Sequence, residues 1–272
     1  MQWEQLTAPE FAAAVRETGV CVIAMGVVER HGDHLPLGTD YLVGHAIACR
    51  AAEKEPAVVF PPFYFGQIYE ARCFPGTVTV KPSLLLELIQ GVFDEIGRNG
   101  FKKIVVSCAH GGNWHLLQFL AQCSMWEEKP YCLYVPTRSL SPEGEEEWGA
   151  MRETTFGGHA CEWETSLVLG TYPHLVKMDR VPEDPARPLN RMEKLPPTFT
   201  GIWWYGDYPE HYAGDARTAT EEKGQTLVRL SSDYLAEYIA AVKADQVVPS
   251  LSKEFFDRVR QVGKGTDEDG AL

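Results

Sequence analysis

The segment Gly26-Val-Val-Glu29-Arg-His31-Gly-Asp33-His34-Leu-Pro-Leu-Gly-Thr-Asp40 offers a carboxylate, an imidazole and a second carboxylate in close succession. Glu29 and His31 are two residues apart, so in extended backbone their side chains point to one face. Asp40 follows a turn containing Gly and Pro, which can swing it back towards that pair. Such a donor set suits a borderline divalent ion such as zinc, manganese or iron(II). One His among carboxylates disfavours a purely structural zinc site, which normally uses thiolates. The simpler alternative is a polar loop in which Thr39 or Asp40 merely caps the next helix. His45, inside that helix, reads as an ordinary helix residue.

A second segment, Ile104-Val-Val-Ser-Cys108-Ala-His110-Gly-Gly-Asn113, puts an imidazole just past a buried strand. Ligands of open α/β sheets collect outside the carboxyl ends of the strands. The glycines admit close backbone approach, and Asn113 is placed to cap a helix. Taken alone, a turn with a hydrogen-bonded His explains it equally well. Both polar segments, however, follow predicted core strands, so one fold could bring them together at the same sheet edge. A third segment, Gly157-Gly-His159-Ala-Cys161-Glu162-Trp-Glu164-Thr-Ser166, sets His159 and Glu162 three apart, a spacing that shares a helix face. That allows a ligand beside a proton-transfer group. Acidic residues also favour any helix N-terminus.

Elements that position these residues are legible in the hydrophobic pattern. Val20 to Met25, Ala57 to Phe60, Ile104 to Cys108 and Tyr131 to Val135 read as short buried strands. Helical spacing runs from Tyr41 to Glu53, Pro82 to Arg98, about Trp114 to Trp126, Glu162 to Leu169 and Glu221 to Val242. In Pro82–Arg98 the expected apolar stripe is Leu84, Leu85, Leu88, Ile89, Val92, Phe93 and Ile96. Alternation of strands and helices predicts a three-layer α/β/α fold with a mainly parallel central sheet. One domain over 1–272 is the simplest organisation. Residues 182–219, rich in Pro, Gly and aromatics, are too long for a plain connection and read as a lid or a packed surface loop. Trp203, Trp204 and Tyr205 in that stretch are expected to line or cover a substrate pocket, or else to pack as core.

Composition narrows the field. A formal charge of -13 argues against nucleic acid, whose phosphates need clustered Lys and Arg. The acidic runs Glu143–Glu147 and Asp267–Asp269 read as solvated surface. Seven cysteines without a C-x-x-C pair, several in apolar runs, suggest reduced thiols and a cytoplasmic protein. The N-terminus shows no signal-peptide pattern, and no apolar stretch approaches bilayer length.

Taken together, the E-x-H…G-T-D segment, the strand ending in H-G-G-N, and H-A-x-E-x-E-T-S resemble the creatininase (creatinine amidohydrolase) family. Phe74-Pro-Gly-Thr77 and Ala219-Thr-Glu-Glu-Lys-Gly224 fit as well, and the resemblance spans roughly residues 18–230. It implies a metal centre, often with two ions, held by Glu29, His31, Asp40 and His110, with Asp40 able to bridge. It also implies a catalytic role for His159, a small-molecule substrate, and assembly as a homo-oligomer, commonly a hexamer. Creatininase itself has a metal-binding Glu where this chain has Gly112, so Glu162 is expected to replace it as ligand and to share in catalysis. Cys161 and Ala71 depart from the usual Gly and His, which makes creatinine a doubtful substrate.

The chemistry implied is hydrolysis of an amide, cyclic amide or formamide C–N bond by a water that one or two zinc, manganese or iron ions activate. Two enzymatic rivals stand beside it. One is ring opening or isomerisation of a sugar-like ketone at the same metal site. The other is a nucleophilic Cys108 or Cys161 with His110 or His159 as its base.

Overall fold

The computed structural model describes residues 1–262. Its sheet has four strands: β1 (Val20–Met25), β2 (Val58–Val59), β3 (Lys103–Cys108) and β4 (Cys132–Tyr134). All pairings are parallel, in the order β2-β1-β3-β4. The helices are α1 (Ala8–Thr18), α2 (Thr39–Lys54), α3 (Pro82–Arg98), α4 (Asn113–Cys123), α5 (Pro142–Met151), α6 (Glu162–Thr171), α7 (Trp203–Asp207), α8 (Glu221–Ala244) and α9 (Val247–Gln261).

Strand β1 is apolar on both faces because both are covered. Cys21, Ile23 and Met25 pack with Ile104 and Val106 against α1, α3 and α4. Val20, Val22 and Ala24 pack with Val105 against α2 and α8. This is the expected three-layer α/β/α arrangement. Connections from β1 run first to β2 and then back across β1 to β3, so the strand order reverses between β1 and β3. Their carboxyl ends therefore flank a crevice of the kind in which α/β proteins bind ligands.

Several local expectations change in three dimensions. Gly38, not Thr39 or Asp40, precedes α2, and Asp40 sits buried in its first turn. Asn113 is likewise the first residue of α4 and not its cap. Its side chain ties the crevice together, accepting from Gln67 N at 2.9 Å and donating to Met25 O at 3.1 Å. On α3 the core takes Leu85, Ile89, Phe93 and Ile96, while Leu84 is exposed. The Glu143–Glu147 run belongs to α5, capped by Ser141, which accepts from Gly144 N. Asp267–Asp269 lies outside the described residues.

Helices α6 and α8 cross at glycines. A Cβ on Gly224 would lie 1.8 Å from the Ser166 carbonyl oxygen, and one on Gly170 would lie 2.3 Å from the Gly224 backbone. Neither neighbour is a flexible side chain, so the helices would have to separate. Gly224→Ala is expected to cost about 3 kcal/mol, the upper end of ordinary overpacking. Thermal unfolding would register this, and an unchanged Tm would refute the close crossing.

Candidate metal centre

The loop after β1 folds back on itself when Glu29 N–H donates to Leu37 O at 3.0 Å. That closure sets Glu29 and His31 beside the first turn of α2, where Asp40 waits. All three are buried. From the tip of β3, His110 enters between them. Its Nδ1 lies 2.8 Å from Glu29 Oε1 and 3.0 Å from Asp40 Oδ2. On the other side of Asp40, Oδ1 lies 2.9 Å from His31 Nε2. Asp40 thus presents one oxygen to each of two imidazoles. Sequence reasoning placed these four residues together, and the structure brings them together.

Glu162 is not among them. Its carboxylate is buried 2.6 Å from Lys223 Nζ and accepts from Glu153 N, Thr154 N and Thr154 Oγ1. Those bonds saturate it. The carboxylate that joins the cluster is Glu164, with Oε2 3.9 Å from His31 Nε2 and 3.8 Å from His159 Nδ1. Residues two apart on a helix point about 200° from each other, so Glu162 and Glu164 cannot share a face. At Gly112, where creatininase has its Glu, a Cβ would lie 2.5 Å from His110 Nε2 and 2.6 Å from Gln67 Oε1. A side chain there would have to displace the His110 ring and the end of Gln67.

His159 is buried, with its ring 4.2 Å from that of His31. Its Nε2–H donates to Arg30 O at 2.8 Å, which leaves the Nδ1 lone pair towards Glu164. Burial, aided by repulsion from His31, holds its pKa well below the usual imidazole value. The remaining His of the loop, His34, bonds Thr165 Oγ1 at 2.9 Å and so staples the loop to α6. Burial pushes its pKa down to about 4, and it stays neutral.

One further imidazole was missed. His211, from the 182–219 stretch, is buried with Nε2 2.5 Å from Glu29 Oε2. No local pattern marks it, apart from being a His among aromatics. Trp204 covers it, donating from Nε1 to His211 Nδ1 at 3.1 Å. Trp203 and Tyr205 are at the surface. None of Trp203, Trp204 and Tyr205 lines the cavity of about 510 Å³ that opens on the cluster. That cavity meets Asp40, His110 and Glu164, and its wall includes Trp114, Trp163 and Arg138. The expected aromatic cover therefore lies behind the centre, over His159 and His211.

Whether the cluster fits a cation can be judged from its polar atoms. Glu29 Oε1, His31 Nε2 and Asp40 Oδ2 are buried without an aligned hydrogen-bond partner, although each has an opposing donor or acceptor within 3.0 Å. Lone pairs that converge in this way are arranged for a shared positive charge. Three carboxylates meet in the cluster, Glu29 and Asp40 buried and Glu164 half-buried, and desolvation with their repulsion raises the pKa of Glu164 to about 7. Burial pulls the His31 imidazole down, but Asp40 more than offsets this and raises its pKa to about 10. Ligation needs neutral imidazole, so ion uptake is expected to release protons. Glu29, Asp40 and His110 form one possible ligand group, and His31, Asp40 and Glu164 another.

The thiol alternative fails on geometry. Cys108 Sγ donates to His110 O at 3.0 Å and not to an imidazole, and burial pushes the pKa of both Cys108 and Cys161 up. A thiolate nucleophile needs the opposite.

The creatininase (creatinine amidohydrolase) family matches residues 4–239 of this chain. The chain belongs to that family. It is 27% identical to a creatinine amidohydrolase of Pseudomonas putida, over 86% of this chain and 94% of the relative. A mycofactocin precursor peptide peptidase of Mycobacterium ulcerans is 30% identical over 76% of this chain and 78% of its own length. A 3-dehydro-scyllo-inosose hydrolase of Thermotoga maritima is 25% identical, over 87% of this chain and 82% of the relative. Among solved structures, a creatininase variant complexed with creatine superimposes with a TM-score of 0.76 at 24% identity, covering 90% of this chain and 99% of the other. A zinc–zinc form of creatininase (TM-score 0.75, 23% identity, 90% and 98% covered) and a manganese form (0.71, 23%, 90% and 99%) share the fold. This creatininase-family chain is accordingly a hydrolase of the amidohydrolase type with a centre for a divalent metal. None of its helices, among the described residues, is long and apolar enough to cross a membrane.

Proposed function

We propose that this protein hydrolyses a C–N bond in a small cyclic amide, amide or formamide that enters the cavity beside Asp40, His110 and Glu164. The observation that carries the reading is the split of Asp40, one carboxylate oxygen towards His31 and the other towards His110. A carboxylate so placed is suited to join two ion positions. Glu29 and His110 would complete one, and His31 and Glu164 the other. Zinc and manganese are the ions that the donor set and the related structures favour. Divalent ions held there would activate a water and polarise a substrate carbonyl.

The protein's own groups do the rest. Donation from His110 Nε2 to Gln67 O at 3.0 Å fixes that ring's tautomer and aims Nδ1 at the cluster. His159, kept neutral by burial, offers Nδ1 as a proton acceptor beside Glu164, a general-base contribution of roughly 10²–10⁴-fold. Trp114 and Trp163 give the cavity flat apolar walls, and among its lining residues Arg138 alone carries a fixed positive charge. A planar amide that bears an acidic group suits those walls.

Ring opening of a sugar-like ketone would use the same ligands, and a 3-dehydro-scyllo-inosose hydrolase is among the relatives. We further propose a homo-oligomeric assembly, supported by the exposed apolar Leu195, Phe199, Ile202 and Trp203. A metabolite screen scored by mass and fragmentation separates the substrate classes. Ring hydrolysis adds one water, deformylation leaves a product lighter by carbon monoxide, and isomerisation leaves the mass unchanged. Fragments tell an opened amide from an opened ketone. Activity found in that screen should vanish on chelation and return with zinc or manganese. Full activity after complete demetallation would refute the proposal.

A further inference from the structure

We infer that His211 is a positioning residue for Glu29, and that Trp204 sets the tautomer that lets it act. The inference rests on the metal-centre reading above. Trp204 Nε1–H donates to His211 Nδ1, so that nitrogen carries a lone pair and the ring proton resides on Nε2. Nε2–H then donates to Glu29 Oε2 at 2.5 Å. With Oε2 tethered, Oε1 is left facing His110 Nδ1 at 2.8 Å, the side on which the ligand group converges. Glu29 has no freedom to turn away.

The ring itself is immobilised. It packs 4.4 Å from the His159 ring and 5.5 Å from Phe74, and its residue is 2% exposed. His211 also has φ 54°, in the left-handed region that few residues other than glycine occupy. Such strain persists where the surroundings over-determine a conformation, as they tend to at functional sites. Trp204 stands in α7, and Ala213 N–H and the His159 carbonyl bond just beyond His211 at 2.9 Å. The 182–219 stretch thereby acts as a brace that holds one ligand of the centre, in place of a lid over the substrate cavity.

The test uses the full chain, freed of metal and titrated with zinc against a chromophoric chelator. His211→Ala should weaken zinc binding about 10- to 100-fold, the usual effect of removing the partner of a ligand. His211→Gln should recover most of that loss, because its amide can donate to Glu29. Trp204→Phe, which removes the tautomer-setting donor while keeping an aromatic ring, should fall between wild type and His211→Ala. Equal zinc affinity in wild type and His211→Ala overturns the inference. So does a His211→Gln variant no better than His211→Ala. If His211→Ala does not fold, wild-type affinity in Trp204→Phe overturns it. A wild-type protein that takes up no zinc instead overturns the metal centre on which the inference rests.

Discussion

Asp40→Ala is expected to abolish divalent-ion binding and to lower turnover by about 10³-fold or more. The ion supplies several kcal/mol of stabilisation to developing charge, and each 1.36 kcal/mol is worth a factor of ten. Asp40 turns one oxygen towards His31 and the other towards His110, so its loss removes a ligand from both groups at once. The fold should survive. Asp40 lies in the first turn of α2 but Gly38 is its N-cap, so the helix does not depend on the Asp40 side chain. Elemental analysis, steady-state kinetics and melting in chelator would be compared for the variant and the wild type. Retention of stoichiometric ion and normal turnover would sink the proposed centre.

Glu162→Ala is expected to act in the opposite way, on stability first. Lys223 Nζ is buried between Glu162 and Glu153, each at 2.6 Å, and Glu153 is largely solvated. Truncating Glu162 strands the Thr154 donors and leaves the amine with Glu153 and the Thr218 carbonyl alone. Breaking a buried pair costs about 3–5 kcal/mol, and the lower figure applies because Glu153 remains as a partner. For a chain of this size about 3 kcal/mol corresponds to roughly 6–12 °C in Tm. Glu164→Gln makes the comparison: it should lose ion affinity with little change in the Tm of the chelated protein. If Glu162→Ala instead lost metal at constant stability, the assignment of the two glutamates would have to be exchanged.

The two predictions separate two kinds of buried carboxylate that look alike on paper. One kind has every lone pair matched by a donor and serves to hold α6 against the segment before it. The other kind is short of donors and faces imidazoles. Polar satisfaction distinguishes them, because a buried acceptor without a donor is costly unless a cation supplies the charge.

From the sequence alone came the strands, because a strand covered on both faces needs an unbroken apolar run, as in Val20–Met25 and Ile104–Cys108. The longer helices were legible for a similar reason, since 3.6-residue periodicity survives in any context. Glu29, His31, Asp40 and His110 could be named because their types suit a divalent ion, their segments follow two core strands, and their motifs resemble those of the creatininase family. Helices α1, α5, α7 and α9 went unread. Of these, α5 and α7 are short or weakly amphipathic, whereas α1 and α9 do carry apolar residues at helical spacing, Phe11, Ala14 and Val15 in the first and Val248, Leu251, Phe255 and Val259 in the second.

Tertiary structure decided what depends on rotation and on distant chain. Whether Glu162 or Glu164 faces the centre is set by the phase of α6, and that phase is set by its crossing with α8 at Gly170 and Gly224. No local signal encodes a phase that a partner helix imposes. His211 reaches Glu29 across 182 residues of sequence through an irregular stretch without periodicity. Side-chain chemistry can be read one residue at a time, but the direction in which a side chain points is a property of the packed whole.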